Sequence, residues 1–240
     1  MKTLEYPLMA TSLSRDQCDS IMKPILDAAL PALGINQHLT RKVVYGPQKY
    51  QGVGIQELWT LQGIVKLWIT LAHRDAYTIT GCSLWAVLAL HTLKLGLPGS
   101  MLEKNFKKFS HLATPSWLKH LWKFCQETNI RLEPDTPTIK LLQEHDEFIM
   151  LQFASFGYQG KDLYHLNQCR LWCHAVRLSD ITTGDGSQIH PLAWKGELME
   201  DAGSEFQWTT HGYPSAKCWK MWQSALRLCF LTLQTQQQML

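Results

Sequence analysis

The sequence predicts a mainly α-helical protein, a multi-helix, bundle-like array with at most a short β-hairpin or extended pieces near 43–55 and 179–192. Three observations predict it. Apolar residues recur at three- and four-residue intervals over much of the chain. Residues that start and stop helices bracket those segments. Helical patterns do not alternate with strand-like runs, so a βαβ sheet is excluded.

Ser14 and Gln17 have capping-box spacing. Cys18, Ile21, Met22, Ile25 and Leu26 follow at helical intervals. Pro24 is expected to kink or split that helix, and Pro31 with Gly34 to end it. A glycine-rich segment, VVYGPQKYQGVGI (43–55), comes next. Gly46-Pro47 marks a turn, and Gly52 and Gly54 are expected to supply positive φ.

Leu58, Leu61, Ile64, Val65, Trp68 and Leu71 mark the inward face of a helix reaching about His73. Residues 83–95 are apolar nearly all round, which predicts a helix buried on most sides. Leu97-Pro98-Gly99-Ser100 breaks it, and the chain is divided there into regions 1–96 and 97–240. Thr114-Pro115 and Thr136-Pro137 each read as an N-cap followed by proline at the first helical position. The first opens a helix with Trp117, Leu118, Leu121, Trp122 and Cys125 inward and Asn129 as its stop. The second opens one with Ile139, Leu142, Ile149, Met150 and Phe153 inward, closed by Gly157. Leu163, Leu166, Cys173 and Val176 suggest another helix. Gly184-Asp185-Gly186, between Ile181 and Ile189, signals a tight turn. Ser215 opens a last helix with Trp219, Trp222, Leu226, Cys229 and Leu233 inward.

Composition narrows the class. The chain has 240 residues, 45% hydrophobic and 18% charged, enough for one large domain or two small ones. Ten tryptophans imply a large aromatic core or contact surface. Seven scattered cysteines, none in a CxxC pair, read as reduced thiols in an intracellular protein, nuclear or cytoplasmic. The longest apolar run, CSLWAVLAL, falls short of the roughly 20 residues of a membrane span, so no membrane partner is expected.

The chemistry-bearing patterns are mostly negative. The glycine segment lacks the Gly-Lys-Ser/Thr of a phosphate-binding Walker loop and the third glycine of a dinucleotide fingerprint. Cys169, Cys173 and His174 lack a second ligand pair at metal spacing. The acids Glu144, Asp146 and Glu147 are read as a solvated helix face, since adjacent residues diverge around a helix. No adjacent Asp-Asp pair occurs, so neither catalytic residues nor a resident metal are assigned.

Charge is uneven. The net charge is only +3, yet 94–123 holds Lys94, Lys104, Lys107, Lys108, Lys119 and Lys123 against Glu103. Phe109, His111, Trp117, His120 and Trp122 interleave with these lysines. Such a stretch can neutralise phosphates and stack on bases, or simply be a solvated face with core tryptophans.

Several segments in order carry a resemblance. They are Leu4-Glu5-Tyr6-Pro7-Leu8, Gln17 to Leu26, Tyr45 to Ile55, Gly96 to Ser100, His111 to Thr114, Leu166 to Arg170, and Leu178 to Ile181 with Gly184-Asp185-Gly186. Trp219 to Trp222 with Ala225-Leu226-Arg227 ends the series. Together they resemble the region after the catalytic palm in reverse transcriptase-like open reading frames of retroelements, of the kind found in algal and related eukaryotic genomes. The resemblance implies a thumb- or connector-like region 1–96 and a helical C-terminal region 97–240 of an RNA-directed DNA polymerase. The family uses magnesium and deoxynucleotides at palm aspartates of Tyr-x-Asp-Asp type. That motif is absent here, so a non-catalytic fragment, a truncated copy, is expected. Its partners would be an RNA/DNA template-primer and an upstream palm and fingers region. Arg41, Lys42 and Lys49 beside the glycine turn, with Lys104, Lys107, Lys108, Lys119 and Lys123, are the candidate nucleic-acid contacts. A helical protein-interaction or scaffold module is the alternative.

Overall fold

A computed structural model describes residues 7–74, 76–132, 139–141, 146–184, 188–197, 206–209 and 212–237. They are mainly helical. The helices are α1 (Arg15–Ala32), α2 (Arg41–Tyr45), α3 (Leu58–Arg74), α4 (Ile79–Leu95), α5 (Phe106–Phe109), α6 (Trp117–Thr128), α7 (Ile149–Ser155), α8 (Gly160–Trp172), α9 (Pro191–Lys195) and α10 (Ala216–Gln237). The expected hairpin does not form as strands among the described residues. Around 179–192 there is only an isolated antiparallel bridge between Thr182 and Ile189, and 43–55 folds as a helical turn and coil. The Asp185-Gly186 part of the turn signal lies outside the described residues.

Two compact units cross the 96/97 division. The first comprises Met1–Cys82 and Pro115–Ile130, the second Ser83–Thr114 and Arg131–Leu240. No single helix among the described residues is long and apolar enough to cross a membrane.

In the first unit, α1 begins as its sequence dictates. Gln17 N–H donates to the Ser14 hydroxyl at 3.2 Å, and Ser14 N–H donates to Gln17 Oε1 at 2.8 Å. Pro24 does not split the helix, which runs unbroken through it to Ala32. The buried stripe is Cys18, Met22, Leu26 and Leu30, a strict four-residue repeat, while Ile21 and Ile25 stay exposed. This stripe packs with Val44, Leu58, Trp59 and Phe124. Burying each large apolar side chain contributes about 1.5–3 kcal/mol.

Helix α3 is turned away from the expected face. Its buried side holds Leu58, Trp59, Gln62, Gly63, Lys66 and Thr70. Ile64, Trp68 and Leu71 are 50%, 62% and 46% exposed. Two facts explain the rotation. A β-carbon at Gly63 would run into the Phe124 ring, so α3 and α6 approach there as only glycine allows. The buried polar groups have partners: Gln62 accepts from Leu13 N–H (2.9 Å) and donates to Leu13 C=O (3.1 Å), and the Thr70 hydroxyl donates to Lys66 C=O. Helix α6 starts two residues later than Thr114-Pro115 suggests, because Ser116 is the cap, its hydroxyl accepting from Lys119 N–H. Asn129 stops it with φ 55°.

In the second unit, α4 is less buried than its composition suggests. Leu88, His91, Thr92, Leu93 and Leu95 are buried, whereas Val87 is 43% exposed. Leu93 packs with Phe148 and Val176. Phe153 of α7 meets Trp222 of α10 edge to face at 5.6 Å, and Trp222 Nε1–H donates to Ala193 C=O at 3.0 Å.

The helix expected from Thr136-Pro137 is shorter. That start lies outside the described residues, 139–141 and 146–147 are not helical, and α7 begins only at Ile149. Asp146 is not on a solvated face. It is buried and accepts from Ser179 N–H (3.0 Å), the Ser179 hydroxyl (2.6 Å) and Glu147 N–H (2.9 Å). Glu144 lies outside the described residues.

Candidate nucleic-acid interface

The glycine segment is a tied-back turn. Val43 C=O accepts from Val53 N–H (2.9 Å), Val44 C=O from Ile55 N–H (3.1 Å), and Gly46 C=O from Gly54 N–H (2.9 Å). Inside it, Pro47 C=O accepts from Tyr50 and Gly52 N–H, and Gln48 C=O from Gln51 N–H. Every amide from Tyr50 to Ile55 therefore has an internal acceptor. Those amides cannot form the phosphate-cradling nest of a Walker-type loop, which needs them pointing at the ligand.

The glycines do different work from that expected. Gly54 has φ +78°, but the other left-handed residue is Gln51 at 62°. Gly52 is required for contact: a β-carbon there would overlap the Gly46 carbonyl oxygen. The segment is thus a rigid platform. Lys49 and Tyr50 are exposed on it, Tyr50 by 73%, and Arg41 and Lys42 are exposed at the start of α2, which leads into it. Lys49 Nζ stands 5.6 Å from the Tyr50 ring centre.

The other basic candidates divide between the units. In the first unit, Lys119 and Lys123 lie on α6. Lys119 is half-buried, and that burial lowers its ammonium pKa. Lys123 Nζ is 3.7 Å from Glu127, which also takes Arg15 at 3.3 Å. In the second unit, Lys107 and Lys108 are exposed on α5, with Lys108 Nζ 5.4 Å from the Phe109 ring centre. Lys104 is half-buried just before that helix. The tryptophans of the basic stretch face inward. Trp122 is fully buried, and Trp117 donates its Nε1–H to Met9 C=O at 2.8 Å. Trp122 therefore presents no face for a base, while Trp117 is half-buried.

Among the described residues, no three His, Cys, Asp or Glu side chains could hold a metal ion. Cys169 and Cys173 are buried thiols whose pKa values rise on burial, Cys173 to about 12. His174 stacks on Trp208 at 4.9 Å.

Sequence reasoning missed two features. Tyr50 carries no pattern signal, because the turn around it has no apolar period that separates an inward from an outward face. The inward face of α3 was legible only through the 58/62/66/70 repeat with Gly63 beside it, which polar residues disguised. No family model, no curated protein and no solved structure matches the chain.

Proposed function

We propose that this chain is a nucleic-acid-contacting part of a retroelement reverse transcriptase-type protein, without a polymerase centre of its own. Its template-primer contact is the 41–50 platform. The observation that carries this is a turn closed by its own backbone hydrogen bonds and flanked by exposed cations, Arg41 and Lys42 on α2 before it and Lys49 next to exposed Tyr50 within it. Cations fixed on a rigid backbone bind a phosphate chain with less ordering cost than cations on a mobile loop. Counterion release would then supply most of the affinity, and the aromatic ring a base-stacking face. A palm and fingers region would bring magnesium and its aspartates.

The test is binding of a short RNA–DNA hybrid by the intact chain across a salt series. A linear fall of log K with log salt supports the proposal. Absence of binding at the lowest salt overturns it.

One observation favours a second reading, a helical protein-interaction module. Ile64, Trp68 and Leu71 form an exposed apolar stripe on α3, and stripes of this kind mark contact surfaces. A chain that binds no nucleic acid but self-associates or binds protein through that stripe would match this reading instead.

A further inference from the structure

Lys66 is fully buried on the inward face of α3. A buried ammonium is costly unless a carboxylate and further acceptors compensate it. Among the described residues no carboxylate pairs with Lys66. Its one recorded hydrogen-bond partner is the Ser12 hydroxyl, with Nζ to Oγ at 2.8 Å, and the Trp117 ring lies 5.4 Å from Nζ. The titratable groups that act with it are the Cys18 thiol on α1 and the His120 imidazole on α6. Neither supplies a negative charge at neutral pH, since burial pushes the Cys18 thiol up to about 11. Burial pulls the Lys66 ammonium down to about 8.

Ser12, by contrast, is exposed. The segment carrying it is pinned on both sides of the backbone at the next residue. Gln62 holds Leu13 N–H and C=O, and His120 Nε2 lies 2.7 Å from the same carbonyl. The Thr11 hydroxyl and His120 Nδ1, on the same segment and its neighbour, are buried with no hydrogen-bond partner among the described residues. An exposed hydroxyl, a dry amine behind it and a fixed backbone are the parts of a serine–lysine nucleophile pair.

We infer that Ser12 and Lys66 form an acyl-accepting dyad, with Ser12 Oγ as nucleophile, Lys66 Nζ as its base, and activated esters or thioesters as donors. With 4-nitrophenyl acetate as donor, Ser12 Oγ attacks the carbonyl carbon and the acetyl–oxygen bond forms. The bond from that carbon to 4-nitrophenolate breaks. The hydroxyl proton passes to neutral Lys66 Nζ and from there to water, and 4-nitrophenolate leaves as the anion. No oxidant or metal takes part. The dyad stands independently of the nucleic-acid reading.

The experiment treats the full chain with 4-nitrophenyl acetate and follows acetylation of the Ser12 peptide by mass spectrometry. Wild type is expected to acquire acetyl at Ser12, at a rate that rises with pH through about 8. Ser12→Ala is expected to lose that adduct. Lys66→Met, checked for unchanged helical circular dichroism, is expected to slow it about 100-fold, the usual size of a general-base contribution. Absence of a Ser12 adduct in wild type overturns the dyad. So does Ser12 acetylation in a folded Lys66→Met variant at the wild-type rate.

Discussion

The guanidinium of Arg170 occupies the space that a side chain on Gly96 would need: a β-carbon there would stand 2.7 Å from Arg170 Cζ. From this position Arg170, fully buried, donates to the carbonyls of Leu93 (2.9 Å), Lys94 (3.0 Å) and Ala175 (2.9 Å) and to Asn167 Oδ1 (2.9 Å). Arg170 and Asn167 of α8 thus bond the end of α4 together: the Lys94 carbonyl also accepts from Asn167 Nδ2 (2.9 Å), and the Leu93 carbonyl also accepts from the Gly96 N–H (3.1 Å). Gly96 itself sits at φ +63°, which only glycine adopts cheaply.

Arg170→Met is therefore expected to destabilise the chain by about 3 kcal/mol or more, because it removes four charge-assisted hydrogen bonds of a buried guanidinium and takes the donor from the Ala175 carbonyl and Asn167 Oδ1. Arg170→Lys is expected to recover little of that, since an ammonium cannot reproduce the planar fork. Gly96→Ala is expected to cost about 2 kcal/mol or more from strain and overlap together. Urea denaturation midpoints measure all three.

Lys66 sets a pH dependence. Its folded pKa, about 8, lies below the ordinary lysine value of 10.5. Below pH 8 both the folded and unfolded chains carry the proton, and the cost of burying the charge is fully present. Between pH 8 and 10.5 the unfolded chain binds more protons, so stability rises with pH across that window. Lys66→Met is expected to stabilise the protein at pH 7 by about 1–3 kcal/mol and to flatten that rise. Chemical denaturation at pH 7 and 9.5 reads both effects.

The glycine turn separates contact from conformation. Gly52→Ala is expected to cost about 2 kcal/mol or more, since its β-carbon meets backbone rather than a movable side chain. Gly184→Ala, where nothing among the described residues lies within 4 Å, is expected to change stability by less than about 0.5 kcal/mol. A paired comparison of denaturation midpoints decides this.

These predictions mark how far the sequence could be read. Helix starts with local chemistry were legible: the Ser14–Gln17 box and the Asn129 stop stand where their residue types put them. The apolar stripe was legible in most of α6, where Leu118, Leu121, Trp122 and Cys125 are buried, and in part of α1, where Cys18, Met22 and Leu26 are buried but Ile21 and Ile25 are exposed. In α3 the periodicity pointed to the wrong side, because burial of Gln62 and Lys66 depends on partners at Leu13 and Ser12, distant in sequence. Asp146 was misread for the same reason, its partner Ser179 being a long-range contact. The basic residues of the platform were legible as a composition, but the turn that fixes them needed the Val43–Val53 and Gly46–Gly54 bonds to be seen.

The exposed stripe on α3 has its own expectation. Trp68→Ser combined with Ile64→Ser is expected to leave the folding free energy within about 1 kcal/mol, because both side chains are at least half exposed. The change is expected to reduce any concentration-dependent association seen by analytical ultracentrifugation. Loss of folding instead would mean that the stripe is covered within the chain.

The most direct measurement is the salt slope of RNA–DNA hybrid binding for the wild type and for a variant with Arg41, Lys42 and Lys49 all changed to Glu. Removing up to three phosphate contacts is expected to weaken binding and to lower the magnitude of the slope by about 2–3. An unchanged affinity and an unchanged slope would contradict the platform as the contact.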